Sequence, residues 1–443
     1  MAFKREKTNL LISTWFNTKE EFMLFIFLSL LGIGGAFFGS QLINGFQFDF
    51  GKNLVGLFVP PLLCILYLTY VGYHYRFTNK TLIKVCVLFC IQVIPYTPFL
   101  FQTFEPTIGD DFSRYYLSAK NMVDNHTLWG GDKLYYNEAG YHYVTQPGYR
   151  YFVALELLLF QDMFRIVQFI NILLFLLTIY FFFKVLVVKI PEKRLRLHLL
   201  LLTLLFSPYV VKNILMGLSE WFTVVLLLWV CYCYLVQNIK ATFFLLGLAP
   251  FFRQNLLITV LLIFIWMMIN NKRKTTIFAL FLVPLFLPIY HNLYYANEWR
   301  FFVDLYYEGK WRQSVDFFQL PIFNYDEKNQ EIKGFNYSLI VSNIIHYIGL
   351  DRDGGKLTFS MIAAIFLPYA TVLYCWFIKL IPTIGYRTLF LLLSMSAIAP
   401  NILLGYGGYY PRFELVNVVV SFITFLILYT YLHNQQKKES LQY

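Results

Sequence analysis

Apolar and polar positions alternate along this chain in long blocks and not as helical stripes. Runs rich in Leu, Phe and Ile are separated by short polar breaks. A helix needs about 20 mostly apolar residues to cross a bilayer. The pattern predicts spans at 22–42, 54–73, 82–101, 165–187, 197–209, 218–236, 240–251, 255–270, 275–296, 357–379, 386–404 and 413–433. The runs at 197–209 and 240–251 are short, and tilt or flanking residues complete them. The stretch YRYFVALELLLFQ, 149–161, is too short to span and is predicted to lie in the interface. The expected fold is therefore an all-α polytopic membrane protein of about 11–13 helices, a single transmembrane domain over 1–443.

Composition agrees with the pattern. The chain is 58% hydrophobic and 14% charged, against about 25% charged in a soluble domain. The first apolar run starts near Phe22, after a polar segment and without a small-residue cleavage site, so it reads as a retained helix. The six cysteines all lie in apolar runs and form no CxxC pair, which makes them small core hydrophobes and not a disulfide or zinc framework.

The net charge of +11 is a matter of topology, not of nucleic-acid binding. The breaks MAFKREK, YRFTNKTLIK, KIPEKRLRLH, NNKRK and NQQKKE are short and basic. Bases in short loops mark the cytoplasmic side. Both termini are then cytoplasmic, and two long segments, 102–164 and 297–356, lie outside. Both are rich in Tyr, Trp and Phe, which favour the bilayer interface.

Ionisable residues near membrane segments are costly and mark function. On this topology several fall at one outer face. Asp110 and Asp111 follow the third span. Lys212 and Glu220 flank the turn in SPYVVKNILMGLSEW, either as site residues or paired as a structural lock. Arg253 and Gln254 occupy the tight apolar turn APFFRQNLL, and Arg412 and Glu414 open the last span after the flexible aromatic run Gly405-Tyr-Gly-Gly-Tyr-Tyr. His126 and His142 are weak metal-ligand candidates. Asn125-His-Thr and Asn336-Tyr-Ser are sequons on the outer side. The chain carries no P-loop, Rossmann glycine fingerprint, HExxH or GxSxG, which removes nucleotide hydrolysis as an energy source together with zinc-protease and α/β-hydrolase chemistry.

Outward carboxylates with converging cations suit transfer of a sugar from a lipid phosphate. Arg and Lys hold the phosphate as it leaves, a carboxylate takes the proton of an acceptor hydroxyl, and a nearby negative charge stabilises an oxocarbenium-like transition state. The donor arrives in the bilayer, so no nucleotide pocket is required.

The residues Gly109-Asp110-Asp111, then Tyr115-Tyr116 and Ala119 in YYLSAKNM, resemble the acidic motif and Tyr-containing amphipathic helix that open the first outer loop of the integral membrane GT-C glycosyltransferases. That superfamily includes protein O-mannosyltransferases and the lipid A aminoarabinose transferase. TQPGYRYFVAL (145–155) is similar to the family's Pro-aromatic stretch, LSEWFTVVLLLW (218–229) to its acidic residue at an outer helix end, and YPRFELV (410–416) to its Arg-aromatic motif. The resemblance covers about 82–433. It implies a polyprenyl- or dolichyl-phosphate sugar as donor, transferred with inversion. It also implies Asp110 as the preferred base, with Asp111 orienting the acceptor or binding a metal. Arg412 and Arg253, or Lys212, would hold the donor phosphate. Glu220, Arg114, Tyr115, Gln254 and Tyr410 would contact substrate. The acid pair permits a divalent cation without requiring one. The acceptor is a glycan, lipid or protein, and the expected location is a bacterial inner membrane. Three other readings stay open, one of them a non-catalytic membrane scaffold. An O-antigen ligase or polysaccharide polymerase acting on a lipid diphosphate glycan would place its site in 297–356. A secondary transporter or flippase would call for internal repeats and mid-membrane charges.

Overall fold

The computed structural model describes residues 15–44, 54–96, 111–126, 128, 147–161, 163–189, 208–270, 274–296, 299, 306–307, 310–311, 323–326, 331–338 and 340–341. The predicted spans at 357–379, 386–404 and 413–433, and most of 197–209, lie outside these residues. So do Asp110, His142, Tyr410 and Arg412. The described chain is mainly helical. Its helices are α1 (Lys19–Asn44), α2 (Leu54–His74), α3 (Asn79–Val93), α4 (Asp111–Asp124), α5 (Pro147–Phe160), α6 (Phe164–Lys189), α7 (Pro208–Leu215), α8 (Ser219–Leu235), α9 (Ile239–Phe252), α10 (Leu257–Asn270), α11 (Lys274–Leu285) and α12 (Leu287–Ala296). Among the described residues one stretch, Ile166–Val188 in α6, is long and apolar enough by itself to cross a membrane. The chain divides into two compact units, residues 1–104 with 172–215, and residues 105–171 with 216–443.

In the first unit α1, α2 and α3 pack on one another, and α7 packs on α2. A reciprocal cap between Thr78 and Thr81 starts α3. The run predicted at 82–101 leaves the α-helix at Val93 and tightens into a 3-10 turn, Ile94–Tyr96. Pro95 lies in that turn, and its ring and missing N–H oppose a continuing helix. The three helices are tied by a buried charge. Glu21 accepts from Tyr67 Oη at 2.7 Å, from the Asn17 backbone N at 2.7 Å and from Asn17 Nδ2 at 2.9 Å, and it pairs with Lys84. The Lys84 ammonium also sits 5.0 Å from the Phe16 ring centroid. Lys84, the last residue of the basic break YRFTNKTLIK, is buried with Glu21, and the two bridge α1, α2 and α3. Cys64, Cys231 and Cys233 are buried as expected. Cys90 is exposed, so it departs from the small-core reading.

In the second unit α8 and α9 form a hairpin that turns at Gln237, whose φ is +65°. Asn238 caps α9 by accepting from the Ala241 backbone N. α9 also packs along α11. The approach is closest at Gly247, where a Cβ would lie 2.2 Å from the Phe281 carbonyl oxygen. The apolar run predicted as one span over 275–296 is interrupted at Phe286 and becomes α11 and α12. Pro284 and Pro288 flank the break. Pro288 has no N–H to return to the Pro284 carbonyl. The interfacial prediction at 149–161 corresponds to α5, a helix that starts with Pro147 at its first position. The described chain is mostly helical, as expected, and the segment 297–356 adds two short β-pairs. There, β1 (Tyr306–Tyr307) pairs antiparallel with β2 (Lys310–Trp311), and β3 (Phe323–Asp326) pairs with β4 (Glu331–Phe335). The register of the second pair shifts between Asn324 and Tyr325. It is accommodated at Gly334, whose φ of +137° suits glycine.

Candidate functional site

The geometry of the α8–α9 hairpin explains the centre of the site. Two antiparallel helices of similar length bring the start of one beside the end of the other. Glu220 lies in the first turn of α8, and Arg253 is the residue that ends α9, with extended backbone angles of φ −149° and ψ 100°. Each charge suits the helix end it occupies, an acid at the positive N-terminus and a base at the negative C-terminus. Arg253 Nη1 lies 3.0 Å from Glu220 Oε1 and also donates to Ser219 Oγ at 3.3 Å. Both charged side chains are buried, Glu220 at 2% and Arg253 at 3% exposure. Gln254, the next residue, is buried as well and opens a 3-10 turn, Gln254–Leu256. Sequence reasoning gave Arg253 to the donor phosphate and offered Lys212 as an ionic mate for Glu220. The structure pairs Glu220 with Arg253. Lys212 belongs to the first unit, and its side chain lies outside the described residues.

The first turn of α5 is the hub that joins this pair to the rest of the unit. Gly148 lets its backbone press against the end of α9, where a Cβ would stand 2.5 Å from Phe251 Cδ1 and 3.0 Å from the Phe251 carbonyl oxygen. Tyr149 meets Tyr115 of α4 edge to face, with ring centroids 5.0 Å apart, and its hydroxyl accepts from Trp221 Nε1 at 3.3 Å. Trp221 follows Glu220 directly. The Arg150 guanidinium carbon is 5.6 Å from the Tyr115 ring centroid, in cation–π range. Tyr151 Oη bonds His291 Nδ1 on α12. Four successive residues therefore reach α4, α8, α9 and α12.

Asp111 is the first residue of α4, and Tyr115 stands one helical turn later on the same face. The acid motif thus opens the helix whose next turn covers Arg150. The side chains of Asp111 and Arg114 lie outside the described residues, while Tyr115 is buried at 8% exposure. His126 is exposed just past α4 with φ +51°. Asn125 Nδ2 donates to the Asn121 carbonyl. Among the described residues no group of three His, Cys, Asp or Glu side chains is arranged to hold a metal ion.

Sequence reasoning missed Arg150, Tyr149, Trp221 and His291. The signal was present in TQPGYRYF, where a helix start by Pro and a small Gly precede a cation set between aromatic residues. It also missed Glu156. Tyr149 and Glu156 are seven residues apart on α5, which places them on one face. Burial pushes the Tyr149 phenol well above its ordinary value, and the Glu156 carboxyl adds to the rise. Burial likewise pushes Glu156 up to about 8, against the lowering effect of a hydrogen bond from Asn171. The second unit therefore holds a buried, aromatic-walled cluster of guanidinium, carboxylate, phenol and imidazole groups. Such an arrangement can bind an anion and orient hydroxyl groups. The chain matches no protein-family model, no curated protein and no solved structure.

Proposed function

We propose that this chain is a polytopic membrane glycosyltransferase of GT-C type. It would move a sugar from a polyprenyl-phosphate donor to an acceptor hydroxyl on a glycan, lipid or protein at the extracytoplasmic face of a bacterial inner membrane. One observation carries the reading. The helix opened by the acid motif meets the buried Arg150 at the first turn of α5, and Trp221, the residue after Glu220 in the buried Glu220–Arg253 pair, bonds Tyr149 of the same turn. Buried ionisable groups in so apolar a chain mark function.

The roles divide by chemistry. Asp110 or Asp111 takes the proton of the acceptor hydroxyl, and the same negative charge favours the cationic sugar of the transition state. Arg150 supplies a fixed positive charge for the donor phosphate, a role that the sequence reading assigned to Arg253, Arg412 and Lys212. Arg253, joined to Glu220, organises the wall of the site, and Glu220 positions sugar hydroxyls from there. Tyr115 is a substrate contact, and Tyr149 packs behind it. Arg114, Gln254 and Tyr410 remain substrate contacts in this proposal.

The test uses the purified full chain in detergent with a panel of polyprenyl-phosphate hexoses and pentoses. The measurement is release of the lipid phosphate, against parallel reactions with lipid diphosphate glycans. Asp110→Asn and Asp111→Asn are assayed separately. The expected result is turnover of a monophosphate donor without a sealed membrane, and loss of about 10²-fold or more in the variant that lacks the base. Full activity in both variants, or turnover of the diphosphate glycan alone, overturns the proposal.

A further inference from the structure

One contact at the first turn of α5 has no part in holding a donor. Tyr151 reaches away from the Arg150–Tyr115 contact and bonds His291 on α12. The two rings meet edge to face, with centroids 5.4 Å apart. His291 is buried at 7% exposure. The Tyr151 hydroxyl and His291 Nδ1 share a hydrogen bond whose direction follows the imidazole tautomer. Tyr151 also packs on Phe251, centroid to centroid 5.8 Å.

Arg150 and Tyr151 are adjacent on a helix and so project about 100° apart. Arg150 is steadied from α4 by Tyr115, and Tyr151 is steadied from α12 by His291. Gly148 on Phe251 and Tyr149 on Tyr115 and Trp221 hold the turn in place, and the Tyr151–His291 bond adds the anchor toward α12 that limits its roll. A roll of about 20° carries an atom about 5–6 Å from the helix axis through about 2 Å. That displacement takes a guanidinium out of hydrogen-bond reach of a fixed anion.

We infer that His291 is a positioning residue. Through its bond to Tyr151 it sets the roll of the first turn of α5 and so aims the Arg150 guanidinium. The consequence for donor binding rests on the function proposed above, whereas the aiming of Arg150 does not.

Two measurements separate these levels. The first is independent of activity. Phenylglyoxal, which modifies accessible guanidinium groups, is applied to the full chain in detergent, and labelling is read by peptide mass spectrometry. Wild-type protein is compared with Tyr151→Phe, which keeps the ring and deletes the hydroxyl, and with His291→Leu. Arg253, buried like Arg150, is the internal control. The expected result is labelling of Arg150 increased about fivefold or more in both variants, with Arg253 unchanged. Unchanged labelling of Arg150, or a parallel rise at Arg253 that signals general loosening, overturns the inference.

The second measurement is steady-state turnover of the polyprenyl-phosphate donor. Tyr151→Phe and His291→Leu raise KM about tenfold with kcat within about twofold, and the double variant is no worse than either single one because both break the same contact. His291→Gln, which retains a polar side chain able to meet Tyr151, recovers most of the loss. Selective labelling of Arg150 in a protein that turns over no monophosphate donor removes the proposed function and leaves the positioning role standing. Turnover with an unaltered KM in both variants removes the consequence for donor binding and leaves the aiming of Arg150 to be decided by the labelling.

Discussion

The Glu220–Arg253 pair gives the sharpest test of the second unit. At the observed 3.0 Å, two unit charges attract by about 5 kcal/mol at an effective dielectric of about 20. Desolvation of two buried ions offsets much of that, so the net value of the pair is small. Removing one member is different, because the other stays buried without its counter-charge, at a cost of about 3–5 kcal/mol. With an unfolding entropy of about 2 cal/mol/K per residue over 443 residues, that loss lowers Tm by about 3–5 °C. Arg253→Met and Glu220→Leu should each show a drop of this size, followed in detergent by intrinsic tryptophan fluorescence. The double variant replaces both charges with apolar groups of similar bulk and should melt within about 1–2 °C of wild type. Additive losses in the double variant would mean that the two side chains do not interact, and the arrangement of the α8–α9 hairpin ends would have to be abandoned. The same double variant separates stability from chemistry. If the pair also shapes the donor site, turnover falls although Tm is restored.

Three further outcomes follow from particular contacts. Gly247→Ala places a Cβ where the Phe281 carbonyl oxygen now lies 2.2 Å away, so α9 and α11 must separate; a loss of about 1–3 kcal/mol is expected, and a Tm equal to wild type would show that the helices do not approach so closely. Glu156, pushed up to about 8 by burial, favours the folded state while it is protonated. Its contribution is full below the ordinary carboxylate range and is lost as pH rises toward about 8, so a Tm–pH scan should fall over that window in wild type and flatten in Glu156→Gln. Lys84→Met leaves the buried Glu21 without its cation and should destabilise the first unit by about 3–5 kcal/mol, read as a lower-temperature unfolding step that Glu21→Gln/Lys84→Met suppresses.

Much of the helical layout was legible because long apolar runs fix where helices can form. The ends were less so. The break between α11 and α12 depends on two prolines four residues apart, whose local effect outweighs an apolar run that continues through both. Glu220 and Arg253 were each singled out, but their pairing was not, since 33 positions of sequence separate them and only the hairpin brings them together. Arg150 was passed over for a physical reason. A cation among tyrosines at the start of a short apolar stretch has the composition of a lipid-facing anchor, and only its burial distinguishes the two. The short β-pairs in 297–356 were missed because strands of two to five residues carry too few alternations to stand out.

The two units use buried charge differently, and the difference bears on function more than either cluster alone. In the first unit the described buried ionic side chains are one ammonium and one carboxylate, Lys84 and Glu21, and a phenol and an asparagine also donate to that carboxylate. The cluster is neutral and its acceptor is saturated, which suits a lock between helices. In the second unit they are two guanidinium groups and one carboxylate, Arg150, Arg253 and Glu220, set among aromatic rings and a phenol whose hydroxyl accepts from an indole. Every buried ion carries a desolvation cost, which the Glu220–Arg253 pair and the surrounding rings offset. On the function proposed above, the turn TQPGYRYF would be where the donor phosphate is held. A binding cation that must meet a mobile lipid headgroup benefits from being held in place before the lipid arrives.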